Sequence, residues 1–190
     1  MINNFADDHL EPLSWDTRLK VMIGVARGLT HLYTEKGVMC HFLCDDILLD
    51  EDFNAKIGGF GWSKIRDKMR QKEAFGYLKA DYDISTGDLL TRNDICSFGF
   101  VMLETLTGRD LSNLDVLEGL ESLELRAPKS KSNRRKLKKM MDPRLKDSYS
   151  IDGAFKCMAL ALRCITIRSK YRPSREEIVW SLEQIVALNK

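Results

Sequence analysis

The side chains best suited to chemistry are crowded into one short stretch of the chain, residues 38–50. It contains two thiols, one imidazole and two adjacent carboxylates, at Cys40, His41, Cys44, Asp45 and Asp46. Thiolate and imidazole groups are typical zinc ligands, but a structural zinc site needs four ligands in a tetrahedron. The fourth would have to be one of the carboxylates, His9 or His31. A Cys–His nucleophile would need an orienting third group. Nothing in the sequence marks one, so a coincidental grouping stays the simpler interpretation.

The same stretch, read with the residues that follow it, resembles the catalytic loop of a protein kinase. That loop reads H-R-D-L-x-x-x-N before an apolar strand, and a magnesium-binding D-F-G motif follows. The apolar run at residues 47–49 aligns the two sequences without a gap, and Lys56-Ile57-Gly58-Gly59-Phe60-Gly61 then corresponds to the D-F-G region. The family's catalytic Asp falls on His41, its Lys on Leu43, its metal-binding Asn on Asp46 and the D-F-G Asp on Gly59.

This alignment implies a kinase-like site whose reactive residues are replaced. In the family, the catalytic Asp orients the substrate hydroxyl, and the Asn and the D-F-G Asp hold magnesium against ATP. His41 has a side chain of a different length, and Gly59 has none with which to bind a metal. Asp46 offers one carboxylate, which is a poor magnesium site by itself. We therefore predict no intact catalytic residue, no metal site and no bound cofactor, although the family uses ATP and magnesium.

Other motifs, in the family's order from Met1 to about Lys190, make the chain most similar to plant receptor-like kinases, in particular the receptor-like cytoplasmic Ser/Thr kinases. They are Leu13-Ser14-Trp15-Asp16-Thr17-Arg18-Leu19-Lys20, Ala26-Arg27-Gly28-Leu29, Gly76-Tyr77-Leu78, Asp94-Ile95-Cys96-Ser97-Phe98-Gly99, Leu106-Thr107-Gly108-Arg109, Met141-Asp142-Pro143-Arg144-Leu145 and Ala161-Leu162-Arg163-Cys164. The resemblance implies a mainly α fold, the helical C-terminal lobe of a kinase with a short β-hairpin.

Neither a G-x-G-x-x-G loop nor a V-A-I-K strand precedes the catalytic-loop region. We therefore expect residues 1–190 to form a partial kinase-like domain, the C-terminal lobe alone, with the N-terminal lobe absent. ATP would then meet only the lower wall of its usual cleft. An exposed apolar surface is expected where an N-terminal lobe would pack.

Two positions that support the family fold are retained, which favours a folded protein over a decayed relic. The resemblance implies that Asp94 hydrogen-bonds the backbone of the catalytic loop. It also implies that Arg172 pairs with the Glu of an A-P-E motif, and Lys79-Ala80-Asp81 stands at that place. Asp81 is therefore expected to pair with Arg172, and a buried pair of this kind is costly to break from one side.

The hydrophobic pattern predicts the elements that position these residues. Ser14 can cap a helix whose buried face carries Leu19, Met22, Ile23, Ala26, Leu29 and Tyr33. Residues 47–49 and 54–57 flank a polar turn and predict a hairpin. A buried helix is predicted over Asp94–Leu106, and two more near Ile151–Ile165 and Ser174–Leu188. The last begins with the capping-box sequence Ser174-Arg175-Glu176-Glu177.

Composition is that of one ordinary domain. The chain has 190 residues, 44% of them hydrophobic, and a formal net charge of +2. No apolar run approaches the roughly 18 residues of a membrane span. Ile2 stands where a myristoylation signal requires glycine, so no lipid anchor is expected. Five irregularly spaced cysteines without a secretory signal indicate reduced thiols in the cytoplasm. Recruitment to the plasma membrane would then depend on partners.

One basic run, Lys129–Lys139, stands apart from this mixed charge. Such a run can bind the phosphates of RNA, an anionic membrane or a nuclear import receptor. A solvated loop and helix face is the simpler interpretation. Because no aromatic residue in the run could stack on bases, we expect no nucleic-acid partner.

Two function classes follow from the resemblance and from the replaced residues. The first is a catalytically inactive pseudokinase that binds or regulates proteins, such as a kinase or receptor complex, in plant kinase signalling. The alternative is a Ser/Thr protein kinase that phosphorylates proteins with ATP, either through residual activity or because the sequence is part of a longer product. Function has to be argued from the site, since fold and descent alone would assign the chain to the second class, the active Ser/Thr kinases.

Overall fold

In the computed structural model, the residues whose structure is described are 11–36, 44–58, 88–109, 130–146, 148–166 and 169–188. The helices among them are α1 (Trp15–Lys36), α2 (Asp88–Thr107), α3 (Lys131–Met140), α4 (Ile151–Cys164) and α5 (Arg175–Ala187). The strands β1 (Ile47–Leu49) and β2 (Ala55–Ile57) form an antiparallel hairpin between α1 and α2. Short 3-10 turns lie at Cys44–Asp46, Pro143–Leu145 and Ser169–Tyr171. The predicted mainly α fold with a short hairpin is confirmed.

Helix α1 begins where the sequence predicted. The hydroxyl oxygen of Ser14 accepts a hydrogen bond from the backbone N–H of Thr17 at 3.2 Å, which satisfies one of the free donors at a helix start. The buried face is shorter than predicted. Leu19, Met22, Ala26 and Leu29 are buried, Ile23 is half-buried, and Tyr33 is exposed. The apolar face therefore ends about one turn early, because the ring of Tyr33 instead packs against the guanidinium of Arg175, 3.9 Å away.

The hairpin packs on α1 through small residues. Its register pairs Ile47 with Ile57 and Leu49 with Ala55. A side chain on Gly24 would lie 3.1 Å from the Cβ of Ala55, and one on Gly28 would lie 3.0 Å from the end of Ile57. Gly24 thus lets the hairpin backbone lie close against the helix, whereas at Gly28 only the flexible end of the Ile57 side chain approaches.

Helix α2 begins at Asp88, earlier than the predicted start at Asp94. Its buried residues include Phe98, Val101, Met102, Leu103 and Leu106. At Gly99 the helix meets the end of α4, where an added Cβ would lie 2.7 Å from the Cβ of Cys164 and 3.0 Å from the carbonyl oxygen of Ala161. Only glycine allows the two backbones to approach this closely.

Helices α4 and α5 confirm the predicted elements to within about a residue, a difference inside the usual uncertainty of helix ends. Each is capped by a serine: Ser150 accepts from the N–H of Gly153 at 3.2 Å, and Ser174 accepts from the N–H of Glu177 at 3.1 Å. For the region of α3, the sequence analysis predicted only a solvated loop and helix face. It is held against the core by Leu137 and Asn133, which are both buried.

The centre of the framework is a buried ion pair between Arg18 of α1 and Asp142, which follows α3. The guanidinium of Arg18 donates to the Asp142 carboxylate at 2.6 Å, to the carbonyl of Thr105 at 2.7 Å and to the carbonyl of Leu13 at 2.9 Å. Arg144 donates to the same carboxylate at 3.0 Å. The side chains of Arg18 and Asp142 are 0% and 1% exposed. Three segments distant in sequence are therefore joined by one charged cluster.

We predict that Arg18→Met lowers the free energy of unfolding by roughly 3–5 kcal/mol, because it removes the fully buried partner of Asp142 and leaves the carbonyls of Leu13 and Thr105 without their Arg18 donor. The matched control is Arg27→Met on the same helix. Arg27 pairs with Glu183, but the two side chains are 64% and 41% exposed, so its loss is expected to cost less than about 1 kcal/mol. Urea unfolding at pH 7 measures both, and equal costs would contradict the prediction.

The Arg18 effect should depend on pH. Burial raises the pKa of Asp142, but hydrogen bonds from Arg144 and Arg18 outweigh it and hold the pKa below its ordinary value. A carboxyl with a depressed folded pKa stabilises the fold fully above its unfolded pKa, and this stability is lost as pH falls through the folded pKa. The stability gap between the wild type and Arg18→Met is therefore expected to be widest near neutral pH and to shrink in acid. Urea unfolding across an acid pH series checks this.

The surroundings of Gly99 on α2 and of Gly28 on α1 predict opposite outcomes for two glycine substitutions. Gly99→Ala should lower stability by roughly 1–3 kcal/mol, because its Cβ would overlap backbone and Cβ atoms that cannot rotate away. Gly28→Ala meets only the end of the Ile57 side chain. It should be neutral or should stabilise by up to about 1 kcal/mol through helix propensity. Thermal unfolding compares the two, and a Gly99→Ala variant as stable as Gly28→Ala would contradict this packing.

Candidate functional site

The predicted site residues divide into two groups. Asp46, Asp94 and Arg172 lie within the described residues, whereas His41, Leu43, Gly59 and Asp81 lie outside them. The roles assigned to the second group, and the pairing of Asp81 with Arg172, stay predictions from the sequence.

Asp46 lies at the entrance to the hairpin. It ends the 3-10 turn that precedes β1 and is buried, with 7% of its surface exposed. Its carbonyl accepts a hydrogen bond from the N–H of Gly58 at 2.7 Å, which closes the open end of the hairpin. The backbone therefore places Asp46 beside the residue that directly precedes Gly59. Asp46 is thus fixed at the open end of the hairpin, whereas Gly59 lies outside the described residues.

The opposite end of the hairpin is organised by Asp50. Its carboxylate accepts from the N–H of Asn54 at 2.8 Å and from the N–H of Asp52 at 3.2 Å. The hydrogen bonds from Asn54 lower the pKa of Asp50 and keep it charged. Phe53 takes a left-handed backbone conformation with φ 59° to complete the turn. The carboxylate of Asp50 therefore serves to shape the turn.

The zinc interpretation gains no support from the described part of the chain. Cys44 is buried in the hydrophobic core, with 3% of its surface exposed. No group of three or more His, Cys, Asp or Glu side chains is placed to hold a metal ion among the described residues. The other two proposed ligands, Cys40 and His41, lie outside them.

Asp94 has a partner that the sequence analysis missed. Its carboxylate lies 3.5 Å from the guanidinium of Arg175, and the two side chains are 5% and 9% exposed. Arg175 also covers the ring of Tyr33. One signal was available: Arg175 stands at helical spacing before Ile178, Leu182 and Ile185, the buried residues of α5. A charged residue on a buried face indicates a buried partner.

Arg172 joins the end of α4 to the start of α5. Its Nε donates to the carbonyl of Thr166 at 2.8 Å. Its charge also acts on two thiols of the α2–α4 contact: burial raises the pKa of Cys96 and of Cys164, and the nearby positive charge of Arg172 opposes both shifts. Arg172 therefore lies at a junction of three helices, in keeping with a supporting role.

A helical lobe with a hairpin at its edge, and a buried Asp below that hairpin, defines the class of protein: this is the architecture of a protein kinase C-terminal lobe. A solved apo structure of a pseudokinase has the same fold, with a TM-score of 0.68 and 21% identity, over 98% of this chain and 58% of that one. The family model described as protein tyrosine and serine/threonine kinase matches residues 1–182, and the chain belongs to this family.

Its curated relatives include plant receptor-like cytoplasmic kinases. The chain is 39% identical to the probable serine/threonine-protein kinase PBL10 of Arabidopsis thaliana, over 96% of this chain and 46% of that protein. It is 36% identical to receptor-like cytoplasmic kinase 176 of Oryza sativa subsp. japonica, over 93% of this chain and 47% of that protein. The chain thus spans about half the length of these relatives. Among the described helices, none has the length and apolar character that crossing a membrane requires.

We predict that Arg175→Met lowers the free energy of unfolding by roughly 1.5–3 kcal/mol, the usual value of a hydrogen bond to a charged group. The control is Arg163→Met. Arg163 pairs with Glu177 of α5 at 2.8 Å, but these side chains are 50% and 42% exposed, so a cost below about 1 kcal/mol is expected. Chemical unfolding of both variants measures the difference. A cost for Arg163→Met equal to that of Arg175→Met would argue against a buried Asp94–Arg175 pair.

Proposed function

We propose that this chain is a catalytically inactive kinase-fold protein, a pseudokinase, that acts as a protein-binding or regulatory module in plant kinase signalling. The observation that carries the proposal is a contrast within one lobe. The interactions that hold the fold are present, whereas the aligned catalytic positions carry His41, Leu43 and Gly59.

The chemical part of the proposal follows from what each replaced residue can do. Phosphoryl transfer depends almost entirely on positioning and on charge neutralisation by magnesium. Gly59 removes one magnesium ligand, and Leu43 removes a positive charge beside the transferred phosphate. Asp46, at the entrance to the hairpin, is the one acidic ligand left at the aligned positions. A single carboxylate holds magnesium weakly, because that ion needs several oxygen ligands at nearly octahedral geometry.

The structural part of the proposal rests on the buried charged pairs. Arg18 with Asp142, and Arg175 with Asp94, are costly to assemble because each charge must leave water. The first pair joins α1 to the segment after α3, the second joins α2 to α5, and neither includes a replaced catalytic residue. A chain that keeps such a framework can offer a defined surface to a partner without performing phosphoryl transfer.

The hairpin supplies apolar surface for such a partner. Leu48 on β1 is 48% exposed, and Phe53 in the turn is 43% exposed. Both belong to the hairpin whose entrance carries Asp46. Both side chains add apolar surface to one short hairpin, and contiguous exposed apolar patches mark protein contacts. We therefore infer that a protein partner, a kinase or a receptor complex in the cytoplasm, covers this edge of the lobe.

The proposal predicts no magnesium-dependent transfer of labelled phosphate from ATP to a generic protein substrate, under conditions in which an active Ser/Thr kinase labels it strongly. It also predicts an unchanged melting temperature with magnesium and ATP. A nucleotide at 100 times its Kd would add about 2.7 kcal/mol of stability. For a chain of this size that corresponds to a rise of about 5–10 °C.

Variants at the aligned positions distinguish real activity from contamination. Transfer by the wild-type chain that disappears in His41→Ala or Asp46→Ala would overturn the proposal and support the kinase alternative. Transfer that persists unchanged in both variants arises from a contaminating enzyme. Glu11→Ala, an exposed change outside the aligned site, is the control for handling and should behave as the wild type does.

A further inference from the structure

Helix α3 carries a concentrated positive charge on the surface of the lobe. Six of its ten residues, Lys131–Met140, are Lys or Arg, and none is acidic. All six cations are exposed, whereas Leu137 and Asn133 face the core. At 100° per residue, the direction opposite those two buried residues is occupied by Lys131, Arg135, Lys138 and Lys139. The outer face is therefore a row of cations roughly 12 Å long.

Part of this charge pattern costs the helix stability, although Lys138 and Lys139 in the last turn interact favourably with the macrodipole. Lys131 and Arg134 lie near the helix N-terminus, where the macrodipole disfavours cations. Lys131 with Arg135, and Arg135 with Lys139, are like charges four residues apart, which repel one another. Arg134 lies 3.8 Å from the carboxylate of Asp152 on α4. Helix stability therefore does not explain the cations of the first turn or the repulsion along the outer face.

The positive charge is concentrated in this helix compared with the chain as a whole. The whole chain carries a formal net charge of +2, and α3 contributes six positive charges, so the remainder of the chain carries −4. Among the described helices, α3 is the most basic. A general excess of basic residues does not explain its charge, because Lys and Arg exceed Asp and Glu by only two in the whole chain.

The shape of this face selects among anionic partners. Leu137 holds the helix lengthwise against the core, so its cations form an exposed, convex row. Helix α3 contains no aromatic residue on which a base could stack. Clusters of four to eight Lys and Arg residues on an amphipathic helix are typical of surfaces that bind anionic lipids. We propose that the outer face of α3 binds an anionic membrane surface, through the phosphate and carboxylate groups of its lipids.

The test compares two double variants in sedimentation with vesicles of phosphatidylcholine containing about 30% phosphatidylserine, or none. Arg135→Gln/Lys139→Gln removes two charges from the outer face of α3. Lys56→Gln/Lys170→Gln removes two charges from exposed lysines on other elements, so both variants have the same net charge. Circular dichroism checks that both remain folded.

The wild type is expected to bind the anionic vesicles and not the neutral ones, with binding weakened as salt shortens the Debye length. Each lipid-facing cation contributes about fivefold in partitioning, the equivalent of about 1 kcal/mol. The α3 variant should therefore bind about 25-fold less, and the control variant less than about threefold less. Because no nucleotide is present, this result does not depend on whether the chain transfers phosphate.

Three outcomes would overturn the inference. Equal losses in the two variants would mean that only net charge matters. Failure of the wild type to distinguish anionic from neutral vesicles would remove the membrane partner. Retention on single-stranded polyuridylate, without binding to the anionic vesicles, would assign the same face to RNA.

Discussion

The fold depends on placing one arginine, Arg18, entirely out of water. A buried guanidinium is tolerated only where its donors find acceptors. Here it finds the carbonyls of Leu13 and Thr105 and the carboxylate of Asp142, which also accepts from Arg144. Lysine could not replace it, because an ammonium group lacks the planar fork that reaches three separated oxygens. The ends of α1, α2 and α3 are therefore fixed relative to one another by a single side chain.

A second buried pair acts farther along the same helices. Arg175 of α5 lies between the carboxylate of Asp94 on α2 and the ring of Tyr33 on α1. The two pairs together hold α1 near both of its ends. The hairpin packs against the middle of α1, where its glycines lie. The position of Asp46 follows from this arrangement, since the hairpin rests on α1 and the Gly58 N–H closes on the Asp46 carbonyl. The candidate site is thus positioned by contacts that lie outside it.

Local patterns in the sequence were enough to predict the helices α1, α4 and α5 and the hairpin, because caps and apolar spacing act over a few residues. The early start of α2 and the exposure of Tyr33 were missed, since both depend on what packs against the helix. The Arg18–Asp142 pair joins residues 124 positions apart, and the periodic spacing of apolar residues cannot predict such a contact. The site was predictable only through the family resemblance, which aligned Asp46 and Asp94 but gave no sign of Arg175 as the partner of Asp94.

Under the proposed function, these two kinds of residue explain how a kinase lobe can lose its chemistry and keep its shape. Removing one member of a buried pair leaves a charge stranded, so such positions resist single substitutions. A catalytic residue has the opposite character: it is held ready for a substrate, and its charge often costs stability that the fold must supply elsewhere. Replacing such a residue by His, Leu or Gly therefore need not weaken the framework. Once phosphoryl transfer is no longer required, this difference in energetics favours substitution at the aligned catalytic positions. It also favours retention of the buried pairs.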